Sequence, residues 1–180
     1  MMRAFLVKRR PLFNFLFPLA LAILAEPTVR LFFVGLCLAL LGEAIRMWSA
    51  GVISKAKEVS CAGPYAHVRH PLYVGSFLIG LGYCFMSGLI PWSIPVMLVL
   101  MGTVYYATIE AEEAYLLDTF GEGYQEYMSG VPKYVPRLTA WRTGSDGFSL
   151  ERLKENREPR YFLVTLAFIA VFALRLFLHK

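Results

Sequence analysis

LYVGSFLIGLGYCFMSG (72–88) and LIPWSIPVMLVLMGTVYYATI (89–109) follow one another without a charged side chain. Each is about as long as a helix that crosses a bilayer core, roughly 17 to 25 residues. Their junction, Gly88 to Pro91, holds turn residues and no charge, which predicts a tight helical hairpin inside a membrane. Working outward, three more apolar runs reach or approach the same length: Leu12 to Ala25, Val29 to Trp48 and Tyr161 to Leu178. The first is short and carries Pro18, so it is expected to tilt or to extend toward Leu6. The fold expected is all-α, a polytopic membrane helical bundle of about five transmembrane helices in one domain over 1–180. A cytoplasmic linker and short amphipathic helix, Phe148 to Arg157, precede the last span.

Composition agrees with that reading. Hydrophobic residues make up 57% of the chain and charged residues only 17%, against roughly 25% charged in an average soluble domain. The formal charge of +5 matters less for its sum than for its placement, and no nucleic-acid partner is expected. With the N-terminus in the cytoplasm, fifteen Lys and Arg fall on the cytoplasmic side and three opposite, as positive residues are retained inside. Segments 49–71 and 110–160 then share the cytoplasmic face. Cys37, Cys61 and Cys84 show no CxxC or metal-ligand spacing, so neither a disulfide framework nor a metal site is expected.

Those two cytoplasmic segments hold the candidate chemistry. The first contains GPYAHVRHPLYVG (63–75), a dense group of tyrosine, histidine and arginine at a membrane boundary. Taken singly, Tyr65 and Tyr73 would suit interfacial anchors, Arg69 a lipid-phosphate contact and Pro71 a first helical turn. The string as a whole points to a binding site. In the second segment the helical pattern runs on past the membrane to Phe120, and Glu113 falls within a stripe formed by Ile109, Leu116, Leu117 and Phe120. A carboxylate among apolar residues is costly unless paired. Glu113 therefore either pairs internally, with Arg46, Arg69 or His70, or meets a ligand. Gly75, Ser76, Gly80 and Gly82 on the third span suit close helix packing.

Both segments together resemble the membrane methyltransferases typified by isoprenylcysteine carboxyl methyltransferase and phospholipid methyltransferase. GPYAHVRHPLYVG is followed, after the hairpin, by EEAYLLDTFGEGYQEYMSGVPKYVP (112–136), in the order that family shows. The resemblance spans about Arg46 to Arg137 and implies S-adenosylmethionine bound between the cytoplasmic helix ends. It implies cofactor contacts from Tyr65, His70, Pro71, Leu72 and Tyr73, closure by Glu112 and Glu113, and backbone contacts from Lys57, Glu58, Val59 and Ser60. Arg69 and Glu112 are the candidate catalytic residues. No Gly-rich turn follows a strand, which fits a methyltransferase without a nucleotide-binding sheet. The implied partners are membrane lipids and a lipophilic acceptor, a prenylated cysteine or a lipid, entering laterally between spans. Isoprenylcysteine carboxyl O-methylation leads among these; lipid N- or O-methylation, an NADPH-dependent sterol-type reductase and a non-catalytic scaffold are the alternatives. Where prenylcysteine enzymes carry an arginine four residues before the first glutamate of the pair, this chain has Thr108. That departure weakens a carboxylate acceptor unless Arg46 or Arg69 takes over.

Overall fold

The protein is described here from a computed structural model covering residues 2–54, 58–142 and 147–179. Lys57 lies outside the described residues. The described chain is built from helices α1 (Met2–Leu24), α2 (Val29–Val52), α3 (Pro71–Ser87), α4 (Ile90–Phe120), α5 (Glu122–Gly130), α6 (Leu150–Glu155) and α7 (Glu158–Leu178). A single 3-10 turn, Gly63–Ala66, lies between α2 and α3, and no strand occurs among the described residues. Three helices, α2, α4 and α7, are long and apolar enough to cross a membrane. The apolar part of α1, Asn14–Leu24, and α3 are shorter. At 17 residues α3 spans about 25 Å at 1.5 Å per residue, the lower limit for a crossing.

Local signals set the helix ends. Thr28 caps α2, its hydroxyl accepting from the Leu31 amide. Gly88 closes α3 in the left-handed conformation, φ 78°, which glycine adopts without strain. A side chain there would also collide with the Glu26 carbonyl. The turn to α4 is therefore as tight as the sequence predicts. At 31 residues α4 measures about 46 Å, more than the roughly 30 Å of hydrocarbon, so its final turns carry Glu110, Glu112 and Glu113 beyond it.

The closest helix contact in the bundle is between α2 and α3, and glycines make it possible. A Cβ built on Gly42 would lie 2.5 Å from the Gly75 carbonyl oxygen, and one on Gly35 would lie 2.4 Å from that of Gly82. Backbones this close gain dispersion contacts that substitute for the hydrophobic drive absent between helices in lipid. Gly42→Val is expected to force the two helices apart and lower thermal stability by about 1 to 3 kcal/mol, as overpacking does. Unfolding in detergent checks it, and an unchanged melting temperature would mean that the contact is not tight.

The segment after α5 returns to the same end of the bundle. The short helix expected over Phe148 to Arg157 is confined to Leu150–Glu155, because Arg157 adopts φ 57° and ends it. Pro159 then starts α7 three residues earlier than the apolar run suggests. Helix α6 covers the C-terminal end of α2: Arg152 Nη1 donates to the Val52 carbonyl at 2.7 Å and Asn156 Nδ2 to that of Ala50 at 2.8 Å. Carbonyls that the last turn of a helix leaves without partners are satisfied in this way.

Candidate active site

The two motif segments meet. The Arg69 amide donates to the Pro132 carbonyl at 2.9 Å, the Arg137 amide to that of His67 at 2.9 Å, and the Trp141 amide to that of Ala66 at 3.0 Å. The buried Tyr127 hydroxyl donates to the Tyr65 carbonyl at 2.8 Å. These bonds hold the 63–70 loop against α5 and the chain that follows it. Pro71 in the first turn of α3 leaves His70 as the cap, directed at α4.

Glu113 lies at the centre of a buried charge cluster. Its Oε1 is 2.9 Å from His70 Nε2 and 3.2 Å from Arg69 Nη1, and its Oε2 is 2.7 Å from Lys133 Nζ. Lys133 also pairs with Glu110. Burial works against the Lys133 ammonium, but the hydrogen bonds from it to Glu110 and Glu113 hold its pKa above the ordinary lysine value. Of the three internal partners open to Glu113 from sequence, two are present; Arg46 instead joins Glu158 of α7, Nε to Oε1, at 2.7 Å. Lys133 is a partner that sequence reasoning missed, because a lysine between proline and tyrosine in a loop reads as a solvated charge.

A cavity of about 240 Å³ opens beside this cluster, slightly below the roughly 300 to 1,000 Å³ of small-molecule sites. Of the residues singled out from sequence, Glu58, Val59, Ser60, Tyr65, Arg69, His70 and Glu112 line it. Tyr115, Tyr124 and Tyr127 add aromatic walls that the sequence reading did not include. The Tyr65 hydroxyl is buried and has no hydrogen-bond partner, and neither does Arg69 Nε; Arg69 Nη1 has only its ion pair with Glu113. Burial first, and then the nearby Glu112 charge, push the Tyr65 hydroxyl well above the ordinary phenol range, so it remains a donor.

Leu72 and Tyr73 face elsewhere, into a second cavity of about 540 Å³ walled by α1, α2, α3, α4 and α7. Phe15, Ile79, Met97 and Phe168 give that cavity apolar surface, and Arg46, Glu43 and Glu158 give it a charged end. Glu112 lines both cavities, with its Oε2 accepting from the Tyr73 hydroxyl at 3.0 Å. Pro71 and Glu113 line neither; Pro71 is fully buried and Glu113 holds the cluster described above. Thr108 is also outside both, its hydroxyl bonded to the Val104 carbonyl of its own helix.

A helical membrane bundle with this paired site at one end defines the class, and comparison with known proteins supplies the family. The family model for phospholipid methyltransferase matches residues 29–123, and the chain belongs to that family. It is 40% identical over 76 residues to Protein-S-isoprenylcysteine O-methyltransferase of Schizosaccharomyces pombe, covering 42% of this chain and 32% of that protein. It is 34% identical over 116 residues to the Nickel-cobalt-cadmium resistance protein NccN of Alcaligenes xylosoxydans xylosoxydans, covering 62% of this chain and 51% of the relative. Protein-S-isoprenylcysteine O-methyltransferase of Rattus norvegicus is 31% identical over 134 residues, 61% of this chain and 43% of that protein. The chain thus spans about half the length, or less, of these curated relatives. No solved structure matches it. Among the described residues no group of three or more His, Cys, Asp and Glu is placed to hold a metal ion.

Proposed function

We propose that the protein is an S-adenosylmethionine-dependent methyltransferase acting on a lipophilic acceptor held in the membrane, with its site on the cytoplasmic face. One observation carries the proposal: a smaller cavity bearing Glu58, Arg69 and His70 and a larger one walled by five helices share a single carboxylate, Glu112. The residues of the smaller cavity fit the cofactor. Arg69 Nε and the Tyr65 hydroxyl are buried donors without hydrogen-bond partners, suited to a carboxylate, and the tyrosine walls suit a purine ring. Glu58 and Glu112 can accept from hydroxyl or amino groups. Bound S-adenosylmethionine supplies an electrophilic sulfonium methyl. The protein then has to align the two partners and keep the junction dry, work that positioning can accomplish.

The acceptor enters from the bilayer into the larger cavity. The names of the S. pombe and rat relatives support the carboxyl group of an isoprenylcysteine, which is ionised at neutral pH and needs no general base. A specific observation favours a second reading, a lipid amine. Thr108 offers no cation, Arg69 is engaged by Glu113 beside the smaller cavity, and Arg46 is engaged by Glu158.

Calorimetric titration of detergent-purified protein with S-adenosylmethionine, its demethylated product and NADPH tests the reading, with His70→Ala as control. Binding of the adenosylmethionine pair, weakened in the control while the control remains folded, is expected. Binding of NADPH instead would transfer the site to a reductase, and binding of none of the three by folded protein would reject an enzyme of either kind.

A further inference from the structure

The charged end of the larger cavity is built by three helices. Arg46 of α2 reaches Glu158 of α7 through Nε at 2.7 Å, and its Nη1 donates to the Ser76 hydroxyl on α3. The Arg46 guanidinium also lies 5.3 Å from the centre of the Tyr161 ring on α7. Glu158 is only 3% exposed and Glu43, one turn before Arg46 on α2, only 2%. All of these side chains line the cavity, and α7 lies outside the residues that match the family.

The charge balance of this group does not depend on where every proton sits. Arg46 carries its charge at any physiological pH. Glu158 in direct contact offsets it, and Glu43 adds either a second negative charge or none. With Glu158 ionised in its pair with Arg46, the group sums to zero or to minus one and presents no net positive charge to the cavity. Glu112, which also lines the cavity, adds no positive charge either. A carboxylate brought into this low-dielectric space gives up its hydration and meets no compensating cation, which is costly. An amine meets at least one carboxylate.

We propose that Glu158 is a specificity-determining residue: by engaging Arg46 it withholds the guanidinium from anionic acceptors, so that the larger cavity selects lipophilic amines over lipophilic carboxylates. The proposal rests on the larger cavity being the acceptor site of the methyltransferase reading, and it decides between the two acceptor classes left open there. It is a statement about binding and can be tested without methyl transfer.

Two probes sharing one farnesyl thioether chain, one ending in a carboxylate and the other in a primary amine, serve for the test. Their affinities are measured on the full chain in detergent, alongside turnover with S-adenosylmethionine. The unsubstituted protein is expected to bind the amine probe at least tenfold more tightly. Glu158→Gln keeps the size and hydrogen-bonding capacity of the side chain but removes its charge, and is expected to move the affinity ratio at least tenfold toward the carboxylate. Tighter binding of the carboxylate by the unsubstituted protein would overturn the proposal, as would a parallel change of both affinities in Glu158→Gln.

Where Glu158→Gln fails to fold, the double variant Arg46→Met with Glu158→Met takes its place. It removes the pair without changing the net charge, and an apolar replacement of a buried ion pair is often tolerated. Its affinity ratio is expected to stay within about threefold of the unsubstituted protein, and a tenfold shift toward the carboxylate would sink the idea. Failure of the two readings is separable. Loss of the methyltransferase reading shows as absent cofactor binding with the probe selectivity intact, whereas loss of the present one shows as turnover with no discrimination by head-group charge.

Discussion

Replacing Glu113 by alanine is expected to lower stability by about 3 to 5 kcal/mol, the range for removing one partner of a buried ion pair. Glu113 is 8% exposed and is met by His70, Arg69 and Lys133 from two different segments. Without the carboxylate, the cations of Arg69 and Lys133 repel one another with no group between them. The 63–70 loop and the chain around Lys133 are then held by the backbone bonds, by Tyr127 and by the contact of His67 Nδ1 with the Arg137 carbonyl. Glu113→Gln should lie between, since an amide oxygen still accepts a hydrogen bond but carries no charge. Because Arg69 and His70 also line the smaller cavity, either substitution should weaken S-adenosylmethionine binding by tenfold or more. Thermal unfolding and calorimetry on the same detergent preparations check both effects. A normal melting temperature with lost binding would assign Glu113 to the ligand instead of to the cluster, and no change in either would remove it from both.

The sequence carried the pairing of the two segments because each contains residues that make sense only with a partner. A carboxylate inside an apolar helical stripe has to meet a donor, and the Arg-His-Pro string one membrane boundary away offers donors. The identity of every partner was less accessible. Lys133 and Glu158 both lie beside prolines at the edges of apolar segments, where a charge ordinarily belongs to solvent or to a helix start. Their pairing follows from the return of the chain after α5 and from the approach of α7 to α2, neither of which has a periodic signal. The division between two cavities was also hidden. Tyr65, Arg69 and His70 lie in a loop ahead of α3, whereas Leu72 and Tyr73 lie in its first turn and point to another side. A linear string of motif residues reads as one site until the helix start separates its two halves. Tyr124 and Tyr127 were visible in the second motif, but tyrosines close to a membrane have an interfacial reading that hides their place in a cavity wall.

Glu112→Gln is expected to reduce kcat/KM by about 10² to 10⁴ with an amine acceptor, the usual contribution of a positioned general base. Glu112 is half-buried at the junction of the two cavities, and the Tyr73 hydroxyl, 3.0 Å from Oε2, fixes the direction of its carboxylate. An amine that arrives protonated has to lose a proton before its lone pair can form the new N–C bond, and Glu112 is the carboxylate that faces both the acceptor space and the cofactor space. The amide of glutamine keeps the shape and one hydrogen-bond acceptor but cannot take that proton. A carboxylate acceptor is already nucleophilic, so the same substitution should cost it tenfold or less. Glu112→Gln thus has an acceptor-dependent effect that a purely structural role would not produce, since loss of shape would slow both acceptors alike. Tyr73→Phe should reproduce the amine defect in weaker form, because the carboxylate would persist without its orienting donor. Equal losses with both acceptors, in a variant that melts normally, would make Glu112 a cofactor-holding residue and move the proton transfer to water.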